Sequence, residues 1–232
     1  MTPPPRTTPR FLLAVDDAGE FLAVVGEDIR LGHVRAKDVD LPFLADVAAH
    51  HARLSLVEDF HAGAGWRIAP ETGAAVAVNG HAIGEQGVLL ADGDEVRLAP
   101  NLAFRFVARE RGSSSARLEL GGGQECLGAP RVLLLAPGAG GRARIGAGTA
   151  RLVPLADLEH EIEISAERSA EAASVSVRCT AGIAAVARGA GEPEVRLALP
   201  LGLAVTLTAR ARGPGKPPFA LIFRSADAPL EG

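Results

Sequence analysis

Aromatic and sulfur-containing residues are scarce in this sequence: its 232 residues include no tyrosine, one tryptophan, one methionine and two cysteines. Cys126 and Cys179 are too few and too far apart for a disulfide framework or a thiolate metal cluster, so we expect two buried free thiols. No hydrophobic run approaches the roughly 18 to 20 apolar residues that a membrane span needs, and residues 1–10 lack the apolar stretch of a signal peptide. These absences predict a cytoplasmic protein with no membrane partner.

An excess of positive charge is also lacking. The formal net charge is −4 and the isoelectric point is about 5.9. Because proteins dedicated to DNA or RNA binding present strongly basic surfaces, we expect no nucleic-acid partner.

Glycine and proline, by contrast, are abundant, with 27 and 16 residues in a chain that is 47% hydrophobic. Long amphipathic helices do not tolerate this density of glycine and proline. From Phe11 onward, apolar segments of about 4 to 8 residues are separated by Gly, Asp, Asn or Pro, a pattern typical of strands and turns. Eight or more such segments within about 100 residues predict an all-β fold, either a β-sandwich or a closed sheet.

Changes in composition divide the chain into parts. Residues 1–10, with four prolines, predict a flexible arm, and strand signals then fill residues 11–109. The polar residues 110–116 predict a linker, after which strand signals fill 117–225 and leave a tail at 226–232. We therefore predict two β domains, one in each half of the chain.

One segment of the second half invites a helix assignment through its Glu and Ala content. Because Ile162 and Ile164 alternate with glutamates, we predict a strand there instead. A loop or one helical turn is predicted across residues 165–173.

Five motifs of the first half occur in the order of a known family. They are Ile29–His33, Val47–Leu54, Val78–Gly80, Leu90–Leu98 and Phe104–Phe106. Together they resemble the forkhead-associated (FHA) domain across nearly all of residues 11–109. The resemblance implies a β-sandwich of two sheets whose loops at one end bind phosphothreonine peptides.

The residues that hold phosphate in the FHA family are replaced in this chain. His33 stands where the family has an arginine, and Ala48, followed by Ala49, stands where it has a serine. The family's Asn-containing turn corresponds to Thr72–Val76, with Ala74 at its centre and no asparagine. The residues that match the family's structural positions are Gly32, His51, Asn79, Gly80, Gly93 and Asp94.

These replacements argue against ordinary phosphothreonine binding. A phosphate carries a charge of about −1.5 to −2 and needs fixed cationic or hydroxyl donors. Losing an arginine and a serine together removes roughly 3 to 5 kcal/mol of binding free energy. The candidate binding loops remain those that carry His33, Arg35, Ala48, Ala49, His50, Arg53 and Ala74.

The second half resembles a more divergent copy of the same family. Gly146 matches the glycine of the first motif, and His160 matches the histidine of the second, with Asp157 at the serine position. Gly146 lies 114 residues after Gly32, and His160 lies 109 residues after His51. The fold prediction is therefore all-β, with two β-sandwich domains of FHA type in tandem.

Two alternative functions remain open. The first is residual phosphopeptide binding through Arg30, Arg35 or Arg53. These residues and Lys37 could still attract an anionic peptide, although Asp38, Asp40 and Asp46 balance their charge. A metal protein or an enzyme would require His33 and His50 to converge with a carboxylate such as Asp46; His51, His61 and His81 are further imidazoles nearby in sequence.

The prediction that the residues favour is a non-catalytic protein-protein interaction or adaptor module. It binds its protein partner independently of phosphothreonine and uses no cofactor and no metal. The glycine-rich stretches lack the Lys-Ser/Thr of a phosphate-binding loop, and no nucleophile motif occurs. The resemblance makes a Ser/Thr kinase pathway the expected setting.

Overall fold

The computed structural model describes residues 8–59, 63–109, 113–138, 140–169, 172–185, 192–201, 204–209, 211–212 and 215–226. These ranges form an all-β fold without helices, so none of them contains a helix that could cross a membrane. Residues 1–7 of the predicted arm and 227–232 of the predicted tail lie outside the described residues.

Twenty strands are present in the described ranges. In the first half they are β1 (Arg10–Val15), β2 (Gly19–Val25), β3 (Asp28–His33), β4 (Leu41–Phe43), β5 (Ala52–Asp59), β6 (Gly63–Pro70), β7 (Ala77–Val78), β8 (His81–Ala82), β9 (Val88–Leu89), β10 (Glu95–Ala99) and β11 (Leu102–Val107). In the second half they are β12 (Ala116–Leu120), β13 (Arg131–Leu135), β14 (Arg142–Gly146), β15 (Val153–Pro154), β16 (Ile162–Arg168), β17 (Ala173–Ala185), β18 (Glu192–Leu199), β19 (Val205–Ala209) and β20 (Phe219–Ser225).

The strands form one small and one large sheet. The small sheet has five strands in the order β4-β3-β5-β6-β9. The large sheet runs β15-β14-β16-β17-β19-β20-β1-β2-β13-β12-β11-β10-β7-β8, and β18 pairs with β17. Both halves of the chain therefore contribute strands to one hydrogen-bonded sheet.

The first hydrophobic core, called here the upstream core, lies between the small sheet and one face of the large sheet. The small sheet contributes Ile29, Leu31, Phe43, Leu54, Trp66 and Ile68, and the large sheet contributes Leu22, Val24, Phe104, Phe106, Leu118 and Leu134. Two sheets packed face to face over such a core have the architecture of a β-sandwich.

The second core, called here the downstream core, is enclosed by the rest of the large sheet. Most of its members come from β14, β16, β17, β19 and β20 and from the opposite faces of β1, β2 and β13. Phe11 and Phe223 lie within it with their ring centroids 5.6 Å apart.

Strands β1, β2 and β13 are shared by the two cores. Along β1, Phe11, Leu13 and Val15 face the downstream core, whereas Leu12 faces the upstream core. A strand covered on both faces needs apolar residues at consecutive positions, which explains the uninterrupted hydrophobic runs of these three strands. The boundary predicted at residues 110–116 does not separate the cores, because β12 and β13 complete the sheet of the first half.

The described part of the predicted linker, residues 113–116, is packed rather than exposed. Ser114 and Ser115 are buried, and the indole Nε1 of Trp66 donates a hydrogen bond of 2.7 Å to the Ser114 carbonyl oxygen. The Ser114 amide donates to the Gly140 carbonyl at 2.7 Å. A serine-rich stretch has the composition of a linker, but here the main-chain groups of Ser114 form hydrogen bonds with residues from both halves of the chain.

Arg117 on β12 adds a buried cation at the same junction. Its guanidinium donates to the Leu152 carbonyl oxygen and pairs with Glu119 at 2.6 Å. Burial lowers the pKa of Arg117. This contact joins β12 to the loop before β15.

Three local predictions can be compared directly with the structure. Cys126 and Cys179 are buried free thiols, which confirms the prediction, and burial raises the pKa of Cys126 to about 12. The strand predicted around Ile162 and Ile164 is confirmed. The loop or helical turn predicted from residue 165 is wrong as far as Arg168, because the strand continues there through pairing with β17.

Candidate functional site

Three loops meet at one end of the upstream sandwich. They are residues 34–40, 44–51 and 71–76, and together they are called here the loop end. The His33 amide donates to the Ala48 carbonyl at 3.0 Å, and the His51 amide donates to the Leu31 carbonyl at 2.8 Å. The Glu71 amide in turn donates to the His51 carbonyl at 2.9 Å. Main-chain hydrogen bonds therefore hold the three loops to β3 and to one another.

Gly32 allows the closest of these approaches. A Cβ atom at this position would lie 2.0 Å from the Ala49 carbonyl oxygen. Gly32 lies within β3 and has no left-handed φ, so its backbone conformation alone does not require glycine. The glycine is required because the backbone of residues 48–50 passes directly over it.

His51 fixes the second and third loops to each other. Its ring is buried, Nδ1 accepts a hydrogen bond from the Ala48 amide at 3.1 Å, and Nε2 lies 3.0 Å from the Ala75 carbonyl oxygen. A neutral imidazole protonated on Nε2 satisfies both contacts. The histidine thus acts as a connector inside the loop end and offers no free nitrogen to a ligand.

Asn79, Gly80, Gly93 and Asp94 form a second hydrogen-bonded group. Asn79 and Gly80 have φ values of 51° and 79°, which close the turn between β7 and β8 in the manner of a type I′ hairpin. The Asn79 side-chain amide donates to Asp94 at 2.8 Å, and the other Asp94 oxygen accepts the Ala91 amide at 2.7 Å. Gly93 has a φ of 93° in the adjoining turn. These residues join two turns.

The predicted binding residues have varied environments. Ala48, Ala49 and His50 are exposed. His33 is half-buried, and its Nδ1 accepts a hydrogen bond from the Arg35 amide at 3.1 Å, so this nitrogen already has a local partner. Ala74 lies in a tight turn, where its amide donates to the Glu71 carbonyl at 3.0 Å.

Most of the positive charge at the loop end is neutralised. Asp38 lies between Arg30, at 3.2 Å, and His50, at 2.7 Å. The hydrogen bond from His50 is the main cause that lowers the pKa of Asp38. Arg53 contacts Glu71 at 3.2 Å and Asp28 at 3.4 Å.

Arg35 and Lys37 differ from these paired cations. Both side chains are exposed, and neither has an acidic partner among the residues that the structure describes. Of the three aspartates expected to balance the charge, Asp40 does something else: it is buried, and its carboxylate accepts the Arg30 amide at 2.8 Å. Asp40 therefore serves as a hydrogen-bond acceptor for the β3 backbone at Arg30.

An exposed apolar pair at the loop end was not foreseen from the sequence. Leu44 is 79% exposed and Val34 is 45% exposed. Val34 directly follows His33, and Leu44 directly follows Phe43. His33 and Phe43 are paired in the parallel β3-β4 ladder, and the Val34 amide donates to the Phe43 carbonyl at 3.0 Å. Because Phe43 points into the core, alternation places Leu44 outward, and this was the signal available in the sequence.

The histidines do not form a metal site within the described ranges. No group of three or more His, Cys, Asp or Glu side chains there is arranged to hold an ion. His33 bonds to a backbone amide, His50 bonds to Asp38, and Asp46 is exposed. His61 lies outside the described residues.

The strand that carries Gly146 repeats the pairing scheme of the Gly32 strand. β3 pairs in parallel with β4, where Gly32 faces Pro42, and β14 pairs in parallel with β15, where Gly146 faces Pro154. On the other side, β3 and β14 pair antiparallel with β5 and β16. The loops beside β14 are called here the counterpart end.

The registers at the two ends give a different residue equivalence from the one expected. Leu31 faces Ala52 and Ile145 faces Ile162, so Glu161 occupies the position of His51. His160 was expected to match His51, but it is exposed, and its amide donates to the Ala211 carbonyl at 3.0 Å. The expected match is one residue out of register.

Ion pairs surround Glu161 at the counterpart end. Glu161 lies 3.2 Å from Arg144 and 2.6 Å from Arg151. Asp157, which stands at the family's serine position, pairs with Arg212 at 3.0 Å. The cations here are therefore held by neighbouring acids.

Comparisons with known proteins give little further information. No family model matches the chain, and no curated protein matches it. Among solved structures, the crystal structure of the Slr1951 protein from Synechocystis sp. is similar at 20% sequence identity and a TM-score of 0.33, over 44% of this chain and 98% of that one. A similarity at this level supports no inference about function.

Proposed function

We propose that this protein is a non-catalytic interaction module of the FHA type, which binds a protein partner through its loop end without needing phosphothreonine. The five sequence motifs support the FHA assignment for the first half. The sandwich with three loops gathered at one end provides a rigid scaffold that leaves its loop side chains free for recognition.

Independence from phosphate is supported by the loop-end chemistry. The Ala48 position has no hydroxyl, and its amide already donates to His51. Arg30 and Arg53 are paired with carboxylates. A bound phosphate would have to compete with these acids, and each charge-assisted hydrogen bond that it fails to make forfeits about 1.5 to 3 kcal/mol.

The single observation that carries the proposal is the exposure of Leu44. A leucine that is 79% exposed, next to an exposed valine and two exposed alanines, gives the loop end an apolar surface. Covering a leucine side chain contributes about 1.5 to 3 kcal/mol, a contribution that requires no modification of the partner.

The test is affinity capture with the purified full chain from native cell lysate, with and without phosphatase. We expect a partner that is retained after phosphatase treatment and lost with the Leu44→Asp variant. Leu89→Asp is the matched control, since Leu89 is also exposed, at 42%, but lies on β9 in the opposite edge strand of the small sheet. Retention that disappears with phosphatase, or that survives Leu44→Asp, contradicts the proposal.

A second candidate function, residual phosphopeptide binding, is favoured by one observation. Arg35 and Lys37 have no acidic partner within the described ranges and could meet an anion. Titration with a phosphothreonine peptide library and its dephosphorylated counterpart separates the two functions. The proposed setting is the cytoplasm, in a Ser/Thr kinase pathway as the resemblance implies.

A further inference from the structure

The chemistry of the loop end also indicates which kind of partner it fits, and this step rests on the function proposed above. Three types of group are displayed together: the apolar side chains of Val34 and Leu44, the small exposed Ala48 and Ala49, and two cations. The cations are Arg35 and Lys37, which have no acidic partner among the residues that the structure describes. A partner must match all three to gain from them.

The apolar part of the surface is small and protrudes. Val34 and Leu44 occupy neighbouring positions at the ends of two paired strands, and the His33 amide is bonded to the Ala48 carbonyl beside them. This arrangement is too small for an extended hydrophobic interface. It suits one large apolar side chain from the partner, seated against Val34 and Leu44 and over the alanines.

The charged part of the surface is asymmetric. Arg35 directly follows Val34 in a tight turn that is closed by the Ala36 amide donating to the His33 carbonyl at 2.9 Å, and Lys37 lies in the next turn of the same loop. Asp46, by contrast, is exposed in the loop that follows Leu44. A carboxylate on the partner is therefore attracted to the Val34 side and repelled from the Asp46 side.

Single carboxylates suit this surface better than a phosphate. A phosphate is recognised by several donors that converge on one point, but the Ala48 amide is bonded to His51 and Arg30 is bonded to Asp38. Arg35 and Lys37 are separate exposed cations in two successive turns of one loop. Each can meet one carboxylate of an acidic segment without a preformed cradle.

We infer that the loop end binds an unphosphorylated protein segment that presents one large apolar side chain beside aspartate or glutamate residues. The apolar side chain packs on Leu44 and Val34, and the carboxylates meet Arg35 and Lys37.

The test starts with a displayed library of short random unphosphorylated peptides, selected on the purified full chain and counter-selected on the Leu44→Asp variant. We expect enriched peptides to combine Leu, Ile or Phe with adjacent Asp or Glu. Fluorescence anisotropy of the synthetic peptides then gives the Kd. Leu44→Asp should raise the Kd about ten-fold or more, and the Leu89→Asp control should change it less than about two-fold.

The charge requirement is measured with the double variant Arg35→Glu/Lys37→Glu. We expect the Kd to rise about ten-fold at low salt, because attraction becomes repulsion. Added salt should weaken binding of the native chain and not of the double variant, since exposed charges are screened. All substituted side chains are exposed, and thermal melts verify that the variants remain folded.

The outcomes separate this inference from the proposed function. The acidic-partner inference is overturned if the selected peptides lack acidic residues, or if the double variant binds them as tightly as the native chain does. In either case, binding that still depends on Leu44 leaves the proposed function standing. A library without any Leu44-dependent peptide overturns both. A parallel phosphothreonine library whose binding requires the phosphate also overturns both.

Discussion

The loop end and the counterpart end have the same strand pairing but are held together by different chemistry. Gly32 and Gly146 each face a proline on a short parallel strand. On the other side, the strand of each glycine pairs with an antiparallel neighbour. Beside Gly32, the backbone at Ala49 packs against the glycine, and the buried imidazole of His51 connects two loops. At Gly146 a glutamate lies between two arginines instead.

Under the proposed function, this difference explains why the loop end, and not the counterpart end, offers exposed side chains to a partner. At the counterpart end, Arg144 and Arg151 are engaged by Glu161, and Arg212 is engaged by Asp157. At the loop end the loops are connected mainly by main-chain groups and His51, and Leu44, Arg35 and Lys37 remain exposed. An end that is fixed internally by neutral hydrogen bonds can present its other side chains to a partner.

The largest contrast is expected for alanine at the two glycines. Gly32→Ala should cost about 3 kcal/mol of unfolding free energy or more, because its Cβ would lie 2.0 Å from a carbonyl oxygen and the backbone must shift. Gly146→Ala should stay within about 1 kcal/mol, because the nearest atom, the Glu161 Cα, is 3.6 Å away. Urea denaturation of both variants measures the difference. Equal losses at the two positions would show that the ends are not packed differently.

The next contrast concerns His51 and Glu161, which occupy the same register position. His51→Ala should cost about 2 to 4 kcal/mol, because two buried hydrogen bonds and the ring volume are lost. Glu161→Ala should cost about 1 kcal/mol or less, since its ion pairs are partly exposed. Chemical denaturation again gives the measurement.

The exposed His50→Ala variant serves as the control for His51→Ala. A comparable loss of stability from His50→Ala would contradict a special role of the buried His51 ring.

Much of the fold could be predicted from the sequence, because short apolar runs punctuated by glycine directly encode strands and turns. The all-β class follows from this pattern. Periodicity cannot show which sheet a doubly buried strand joins, so the sharing of β1, β2 and β13 by two cores was not predictable. The same limit applies to residues 113–116, whose burial depends on Trp66 and Gly140 from distant parts of the chain.

The site was predictable to a smaller extent. The motifs located Gly32 and His51, but only the structure gives the reason for the glycine, which is a carbonyl from a neighbouring loop. His160 does not match His51, because the strand register places Glu161, and not His160, at the position of His51. Leu44 was not singled out from the sequence, because its exposure depends on where β4 ends.

A smaller effect is expected from the ion pairs of the counterpart end. Arg151→Ala should cost about 0.5 kcal/mol at low salt, and the loss should vanish near 1 M NaCl, where the Debye length falls to about 3 Å. The destabilisation by His51→Ala should be unchanged by salt, because neutral hydrogen bonds are not screened. Denaturation at two salt concentrations tests both statements, and a salt-dependent His51→Ala effect would remove the distinction between the ends.

The smallest effect concerns one of the ionic contacts at the loop end, the one between Asp38 and His50. The pKa of Asp38 lies below its ordinary value of 3.8, chiefly because of the hydrogen bond from His50. A carboxyl group with a lowered pKa in the folded state contributes stability above its ordinary value and loses it as the pH falls through the lowered one. His50→Ala should therefore raise the pKa of Asp38 toward 3.8 in an NMR titration, with the Arg30 contact retained. An unchanged pKa would assign the shift to the Arg30 contact instead.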